Sequence, residues 1–289
     1  MNLGVKLSIV LLTIIINYNY LNAQNKVLII GVDGCKPDAL LKANTPNLDK
    51  LWKNGAYSFS AKTDEISSSG ICWTGMLTGV WHEKHNVVSN EYKNPNIKEY
   101  PHFFRRVKQE RPELKTYSIV TWAPIHKILQ KDDANMVKSP LLDRGVTSKV
   151  VRTIRKKDVD VLFLQLDFVD HAGHKHDFSA ESKKYLTAIE TADKQIGKMI
   201  KALKSRKDYE NENWLILVST DHGGSEFGHG KNIPEHTTTF FIASGSKDVQ
   251  KGEITKQVYV VDIAVTALKH LGINIKKEWK LDGSVSGLK

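Results

Sequence analysis

The sequence predicts an α/β fold, a mainly parallel sheet covered by helices on both faces. Three observations predict it. Short apolar runs alternate with longer stretches of helical periodicity, the pattern of strand–helix–strand units. The apolar runs are continuous rather than alternating, as expected of strands buried on both sides. No internal repeat, low-complexity linker or composition shift divides the chain.

The first strand is expected at 26–32 (KVLIIGV), an apolar run with Gly31 near its end. Thr45-Pro46 then supplies an N-cap and a proline for the first helical turn, and Gly55 closes that helix. Residues 56–63 are strand-like, and 71–77 start a helix behind a Ser67-Ser68-Ser69-Gly70 turn. Further strands are expected at 117–122, 159–166, 214–219 and 238–243, giving at least five in all. Between them, helices are expected at 146–156 and 182–204. In the second, Tyr185, Ile189, Ala192, Ile196, Met199 and Leu203 recur every three or four residues and form one buried stripe. A last helix over 261–271 ends at a turn-forming Gly272.

Bulk properties narrow the class. The chain has 289 residues, 40% hydrophobic and 26% charged, ordinary for a globular protein. Residues 1–23 carry Lys6, an apolar run and a polar end at Leu21-Asn22-Ala23, the layout of a signal peptide. The run is too short to span a bilayer. A secreted or periplasmic protein is therefore expected, with no membrane span after cleavage near Ala23 and a single α/β domain over 24–289. The excess of 42 basic over 32 acidic residues gives a net charge of +10, which favours anionic partners or simply reflects solvated Lys-rich helix faces. No nucleic-acid-binding module is evident, and the oligomeric state is unreadable. Cys35 and Cys72 are too few for a disulfide scaffold; one disulfide or two buried thiols are both compatible with them.

Chemistry concentrates in three clusters of Asp and His, each just after a strand-like run. They are Asp33 in VLIIGVDG, Asp170 and His174 in LDFVDHAGH, and Asp221, His222 and His229 in VSTDHGGSEFGHG. A parallel sheet would deliver all of them to one edge, where ligands of such sheets collect. A mixed Asp/His set suits Zn²⁺ better than Ca²⁺ or Mg²⁺. The six side chains nearly suffice for two divalent metals. His171, His176 and His236 compete with the chosen ligands, each alone being more readily a supporting or surface residue. A nucleophile is sought in the serine turn, where a hydroxyl at a helix N-terminus would meet free N–H donors. Residue types alone leave Ser67, Ser68, Ser69 and Thr74 open. Trp73, Trp81 and Trp122 are candidates to stack on a leaving group, or plain core aromatics.

VLIIGVDGCKPDAL, TPNLDKL, LTGVWHEKHNVVSN, DFVDHAGH, STDHGG and VYVVDIAVTALKHLGI together resemble the alkaline phosphatase superfamily, type I phosphodiesterase/nucleotide pyrophosphatase branch. The resemblance covers essentially all of 24–289. It implies an alkaline-phosphatase-like three-layer sandwich and a two-metal phosphodiesterase, a metal-dependent phosphoric (di)ester hydrolase acting on a small anionic phosphate ester. It places the nucleophile at Ser69 and a phosphoryl-binding amide at Asn90. Asp170, His174 and His229 would hold one zinc, and Asp33, Asp221 and His222 with Ser69 the other. A covalent phospho-enzyme would form and be hydrolysed. The sequence departs from the family pattern beside the nucleophile. Ile71 stands for a common Pro, Cys72 for Ser or Asn, and His82 and Asn86 for Pro and Gly. Cys72-Trp73-Thr74-Gly75-Met76 also lacks the Pro and Arg of a sulfatase motif. Phosphomonoester hydrolysis on the same site is one alternative, and a non-catalytic phosphate- or glycan-binding protein with a decayed site is another.

Overall fold

The first strand, β1 (Gln24–Val32), buries seven consecutive residues from Lys26 to Val32. A run with no polar face is stable only between two covering layers, and β1 lies in the middle of the sheet. The computed structural model describes residues 23–289, so the leader-like segment, apart from Ala23, lies outside the described residues. The other strands are β2 (Ala56–Lys62), β3 (Thr116–Val120), β4 (Met136–Lys138), β5 (Val161–Leu166), β6 (Glu212–Ser219), β7 (Thr238–Ser244) and β8 (Gly252–Glu253). They form one sheet in the order β4-β3-β5-β1-β6-β7-β2-β8. Only β7 runs against the rest, antiparallel to both β6 and β2.

Helices of eight residues or more are α1 (Pro46–Lys53), α2 (Ser69–Thr78), α3 (Phe103–Glu110), α4 (Asp143–Lys156), α5 (Phe168–His176), α6 (Lys183–Lys204) and α7 (Asp262–His270). Side chains alternating along β1 divide the core between the two faces. Val27 and Ile29 join Trp73, Phe103, Phe163 and Leu268 on the side of α2, α3 and α7. Leu28, Ile30 and Val32 join Leu48, Val150, Ile196 and Trp214 on the side of α1, α4 and α6. The result is the expected three-layer sandwich. Among the described residues, no helix is long and apolar enough to cross a membrane.

Every expected strand is present, with ends within two residues of those read from the sequence. The stripe of α6 is buried throughout, and Gly272 adopts the left-handed turn conformation at φ +75°. One local reading changes. Thr45 occupies the N-cap of α1 without a side-chain cap bond, because its hydroxyl donates to Asp49 Oδ1. The free amides of Asn47 and Leu48 are instead taken by Asp193 of α6, at 3.1 and 2.8 Å. A tertiary carboxylate thus replaces the local cap.

At the opposite edge of the sheet from the Asp/His clusters, Lys26 is 1% exposed. Its ammonium donates to Asp160 Oδ1 at 2.7 Å and to the Val159 carbonyl at 3.0 Å. Removing one member of a buried pair leaves its partner uncompensated. Lys26→Met is expected to lower unfolding free energy by about 3 kcal/mol, read from urea denaturation midpoints. A shift under about 1 kcal/mol would show that Asp160 is already satisfied by its other donors.

Candidate active site

The order β5-β1-β6 sets the site. After β2, near the far edge, the chain returns to the other side of β1 for β3, β4 and the adjacent β5, then crosses β1 for β6, making β1 a topological switch point. Parallel pairing of Val32 with Leu166 and of Gly31 with Ser219 aligns the strand ends. Asp33 follows β1, α5 starts just after β5, and Asp221 and His222 follow β6. The crevice is then closed by hydrogen bonds: the Asp33 amide donates to the Leu166 carbonyl at 2.9 Å, and the Gly34 amide to Asp221 Oδ1 at 3.2 Å. On α5, Asp170 and His174 are one turn apart and share a face.

The six expected ligands fall into two groups, Asp33 with Asp221 and His222, and Asp170 with His174 and His229. Within each group the ligand atoms lie within 4.8 Å of one another. In the first, His222 Nε2 is 3.6 Å from Asp33 Oδ1 and 3.3 Å from Asp221 Oδ2. His222 Nδ1 lies 2.8 Å from the Gly223 carbonyl, which only accepts, so Nδ1 carries the proton and Nε2 offers a lone pair. Asp33 Oδ1 and Asp221 Oδ2 are buried without any hydrogen-bond partner. Three acceptors therefore converge.

The second group repeats the logic. His174 Nδ1 donates to the Phe227 carbonyl and His229 Nδ1 to the Ser67 carbonyl, both at 2.8 Å. Their Nε2 atoms are left facing each other at 3.1 Å. Asp170 lies against both, with Oδ2 at 3.3 Å from His174 Nε2 and Oδ1 at 3.7 Å from His229 Nε2. Asp170 Oδ1 is also buried and unpartnered. The His222 and His229 rings stack with centroids 3.7 Å apart, joining the two groups.

Electrostatics agree with this geometry. Burial, then the neighbouring Asp221 and Asp170, push the Asp33 carboxyl well above the usual range. Burial pushes Asp221 up as well, against the Gly34 N–H that favours its charge. Burial and His229 hold His222 down to about 3. Burial works to raise Asp170, but its bond to His174 and the surrounding imidazoles outweigh it and hold the carboxyl low. That same bond lifts His174 to about 9. Unpartnered oxygens and facing ring nitrogens fit one divalent cation in each group.

Further residues hold the ligands in place. Trp73 Nε1 and Gln165 Nε2 donate to Asp33 Oδ2 at 2.9 and 2.8 Å, which leaves Oδ1 facing His222. Gln165 also donates to Asp167 Oδ1 and accepts the amides of Thr121 and Trp122. Trp73 reaches Asp33 because Gly31 has no side chain; a Cβ there would lie 2.3 Å from the indole. Asp143 accepts the amides of Asp167 and Phe168 and so anchors the start of α5. The Tyr185 hydroxyl donates to the Gly34 carbonyl and accepts from the Lys36 amide. Gln165, Asp143 and Tyr185 are not among the site residues expected from the sequence, and Trp73 is expected only as a stacking candidate or core aromatic, not as a donor to Asp33. For Gln165 a signal existed, a lone amide in the apolar run VLFLQL.

The four candidate hydroxyls separate cleanly. Ser69, the first residue of α2, has its Oγ 3.2 Å from His222 Nε2. Ser67 donates to the Lys231 carbonyl and accepts the Gly230 amide, pinning the loop that carries His229. Thr74 donates to the Gly70 carbonyl within α2, and Ser68 stands at the N-cap. Asn90 Oδ1 accepts the Gly70 amide at 2.8 Å, so its Nδ2 remains available to a ligand while the Gly70 N–H does not. Cys35 and Cys72 are both buried free thiols, and Cys72 Sγ points at the Ile66 carbonyl. Trp73 is fully buried, and Trp81 packs edge-on against Tyr259. His171 pairs with Asp167, His236 bridges the Lys231 amide and Ser225, and His176 is exposed.

Residues 32–275 match the family model described as the Metalloenzyme superfamily. The chain belongs to the metalloenzyme superfamily. Within this superfamily, of alkaline-phosphatase-like fold, use of divalent metal is a shared property, and the two Asp/His groups are the places that could bind it. Over 187 residues the chain is 31% identical to the 2,3-bisphosphoglycerate-independent phosphoglycerate mutase of Acetivibrio thermocellus, covering 57% of the chain and 34% of the mutase. Over 223 residues it is 21% identical to ectonucleotide pyrophosphatase/phosphodiesterase family member 7 of Mus musculus, covering 69% and 50%. The chain thus spans a third to a half of the length of these curated relatives. Among solved structures, murine ectonucleotide pyrophosphatase/phosphodiesterase 5 superposes with a TM-score of 0.71 at 15% identity, covering 86% of this chain and 95% of that one. That likeness shows a shared fold.

Gln165→Leu removes one of the two donors that orient Asp33. It is expected to weaken metal binding about 10–100-fold, measured by competition with a chromogenic chelator. Unchanged affinity in a folded variant would assign Gln165 to loop structure alone.

Proposed function

We propose that this chain is a two-metal hydrolase of phosphate esters with a diester preference, using Ser69 as nucleophile. One observation carries the reading. A hydroxyl at the N-terminus of α2 faces the point where His222, Asp33 and Asp221 converge, and the free amide nitrogen of Asn90 stands beside the same helix start. Zinc suits the mixed imidazole–carboxylate donor sets, and Asp33, Asp221 and His222 would hold one ion while Asp170, His174 and His229 hold the other. When bound, the metals would supply Lewis-acid stabilisation of oxygen charge and lower the pKa of the serine hydroxyl.

The side chains have separate tasks. Ser69 Oγ, its proton lost to water, attacks phosphorus; the Oγ–P bond forms as the bond to the leaving oxygen breaks. The departing alkoxide takes a proton from water. A second water then attacks phosphorus, the P–Oγ bond breaks, and the proton that this water loses is balanced by the one Ser69 Oγ regains from solvent. Asn90 Nδ2 donates to a non-bridging oxygen, where charge develops. His222 and His229 keep their protons on Nδ1 through the Gly223 and Ser67 carbonyls, so neither ring has to change tautomer to act as a ligand. The leader-like composition of 1–23 supports action outside the cytoplasm.

Diester preference is supported by charge. A monoester brings one more anionic oxygen, and among the described residues only two groups of ligand geometry exist to meet it. The mouse relative's name also records phosphodiesterase activity. The phosphoglycerate mutase relative favours a second reading, in which the same serine handles a monoester.

Ser69→Ala is expected to lower kcat on a bis-aryl phosphate by at least about a thousandfold, with bound metal retained. Full activity in that variant would refute the nucleophile assignment. Stripping the metal with a chelator should abolish turnover, and added Zn²⁺ should restore it. Faster turnover of mono-aryl than of bis-aryl phosphate would overturn the diester preference.

A further inference from the structure

A groove between α4 and α6 gathers four cations without an ion-pair partner among the described residues. Arg144 and Arg155 stand on one wall and Lys198 and Lys201 on the other, around a cavity of about 390 Å³ lined by no carboxylate. All four residues are exposed. Among the described residues none of them forms an ion pair; the nearby pairs are Arg206–Glu212 and His171–Asp167. Like charges around one concavity repel, and a bound anion relieves that repulsion. The eleven-residue separation of the two arginines gives the groove a length of roughly 16 Å.

The groove does not end blindly. Arg144 and Gln195 also line a second cavity of about 380 Å³, whose wall includes Asp167 and His171. Asp167 shares the Gln165 amide with Asp33, and His171 follows the ligand Asp170 directly. The basic groove is therefore joined at Arg144 to a cavity that reaches the neighbours of the candidate metal groups, its wall there carrying Asp143 and Asp167.

We infer that this groove seats an extended, base-free phosphodiester chain, and that the site works on an ester of such a polyanion rather than on a small diester. The inference rests on the phosphodiesterase reading above, which makes the chain's remaining charges the same diester groups as the scissile one. Shape and chemistry select the occupant. A concave seam between two helices admits a chain and not a flat bilayer. No aromatic residue lines the basic groove, so nothing there offers bases a stacking platform. Charge complementarity does the rest.

The test compares the metal-loaded protein on a propanediol phosphate oligomer and on bis-nitrophenyl phosphate. Lys198→Ala with Lys201→Ala, both on an exposed helix face that tolerates alanine, is expected to lower the oligomer-to-small-diester ratio of kcat/KM about tenfold. Binding of the same oligomer to Ser69→Ala protein, which needs no turnover, should lose about one unit of log–log salt slope for each lysine removed. An unchanged ratio and slope would overturn the groove. Tighter binding of oligothymidylate, or of a sulfated oligosaccharide of equal charge, would overturn the choice of a base-free phosphodiester. Absence of small-diester turnover by the unmutated protein, with lysine-dependent oligomer binding intact, would count against the site reading and not against the groove.

Discussion

Two buried carboxylates and an imidazole lone pair are held face to face at the centre of this molecule. At an effective dielectric of about 20, two like charges about 4 Å apart repel by roughly 4 kcal/mol. Asp33 and Asp221 are kept together by the ladders that pair β1 with β5 on one side and β6 on the other. The sheet thus imposes a local arrangement that the side chains would not adopt by themselves. Charge of the opposite sign is what the arrangement lacks, and a divalent cation has the size and charge to supply it.

The layer behind the ligands is as specific as the ligands. Asp33 and Asp221 each spend one oxygen on fixed donors, Asp33 on Trp73 and Gln165, Asp221 on the Gly34 amide, and keep the other free. Each imidazole spends Nδ1 on a backbone carbonyl and keeps Nε2 free. The division is the same in all five groups. It turns one atom of each toward the site, and rigid backbone rather than mobile side chains does most of the orienting.

Much of this was legible in the sequence, for reasons that can be stated residue by residue. Strands β1, β5 and β6 announce themselves because a strand buried on both sides has no polar positions to break the run. The ligands follow directly, as Asp and His placed just past those runs. Strands β4 and β8 escaped because they are three and two residues long and sit at the sheet edges. The reversal of β7 is invisible locally, since a strand's direction leaves no mark on its own side chains. Tyr185 was read correctly as core and incompletely as to role: its ring packs in the α6 stripe while its hydroxyl reaches Gly34. Asp193 caps a helix 146 residues away, a distance over which sequence pattern carries no information. Among the serines, only tertiary contact with His222 separates Ser69 from its neighbours.

The central position of β1 has a consequence for how the molecule comes into being. It is the first strand of the described chain, yet its partners are β5, beginning at Val161, and β6, beginning at Glu212. At typical synthesis rates of about 5–20 residues per second, a nascent chain carries this apolar strand unpaired for roughly 7–27 s before β5 is complete. No early fragment can close the ladder or assemble either Asp/His group, because each group draws on residues that emerge late. Folding of this sheet is therefore governed by long-range pairing and is slow by construction. During that interval the strand that will become the best-protected part of the protein is its most exposed aggregation hazard.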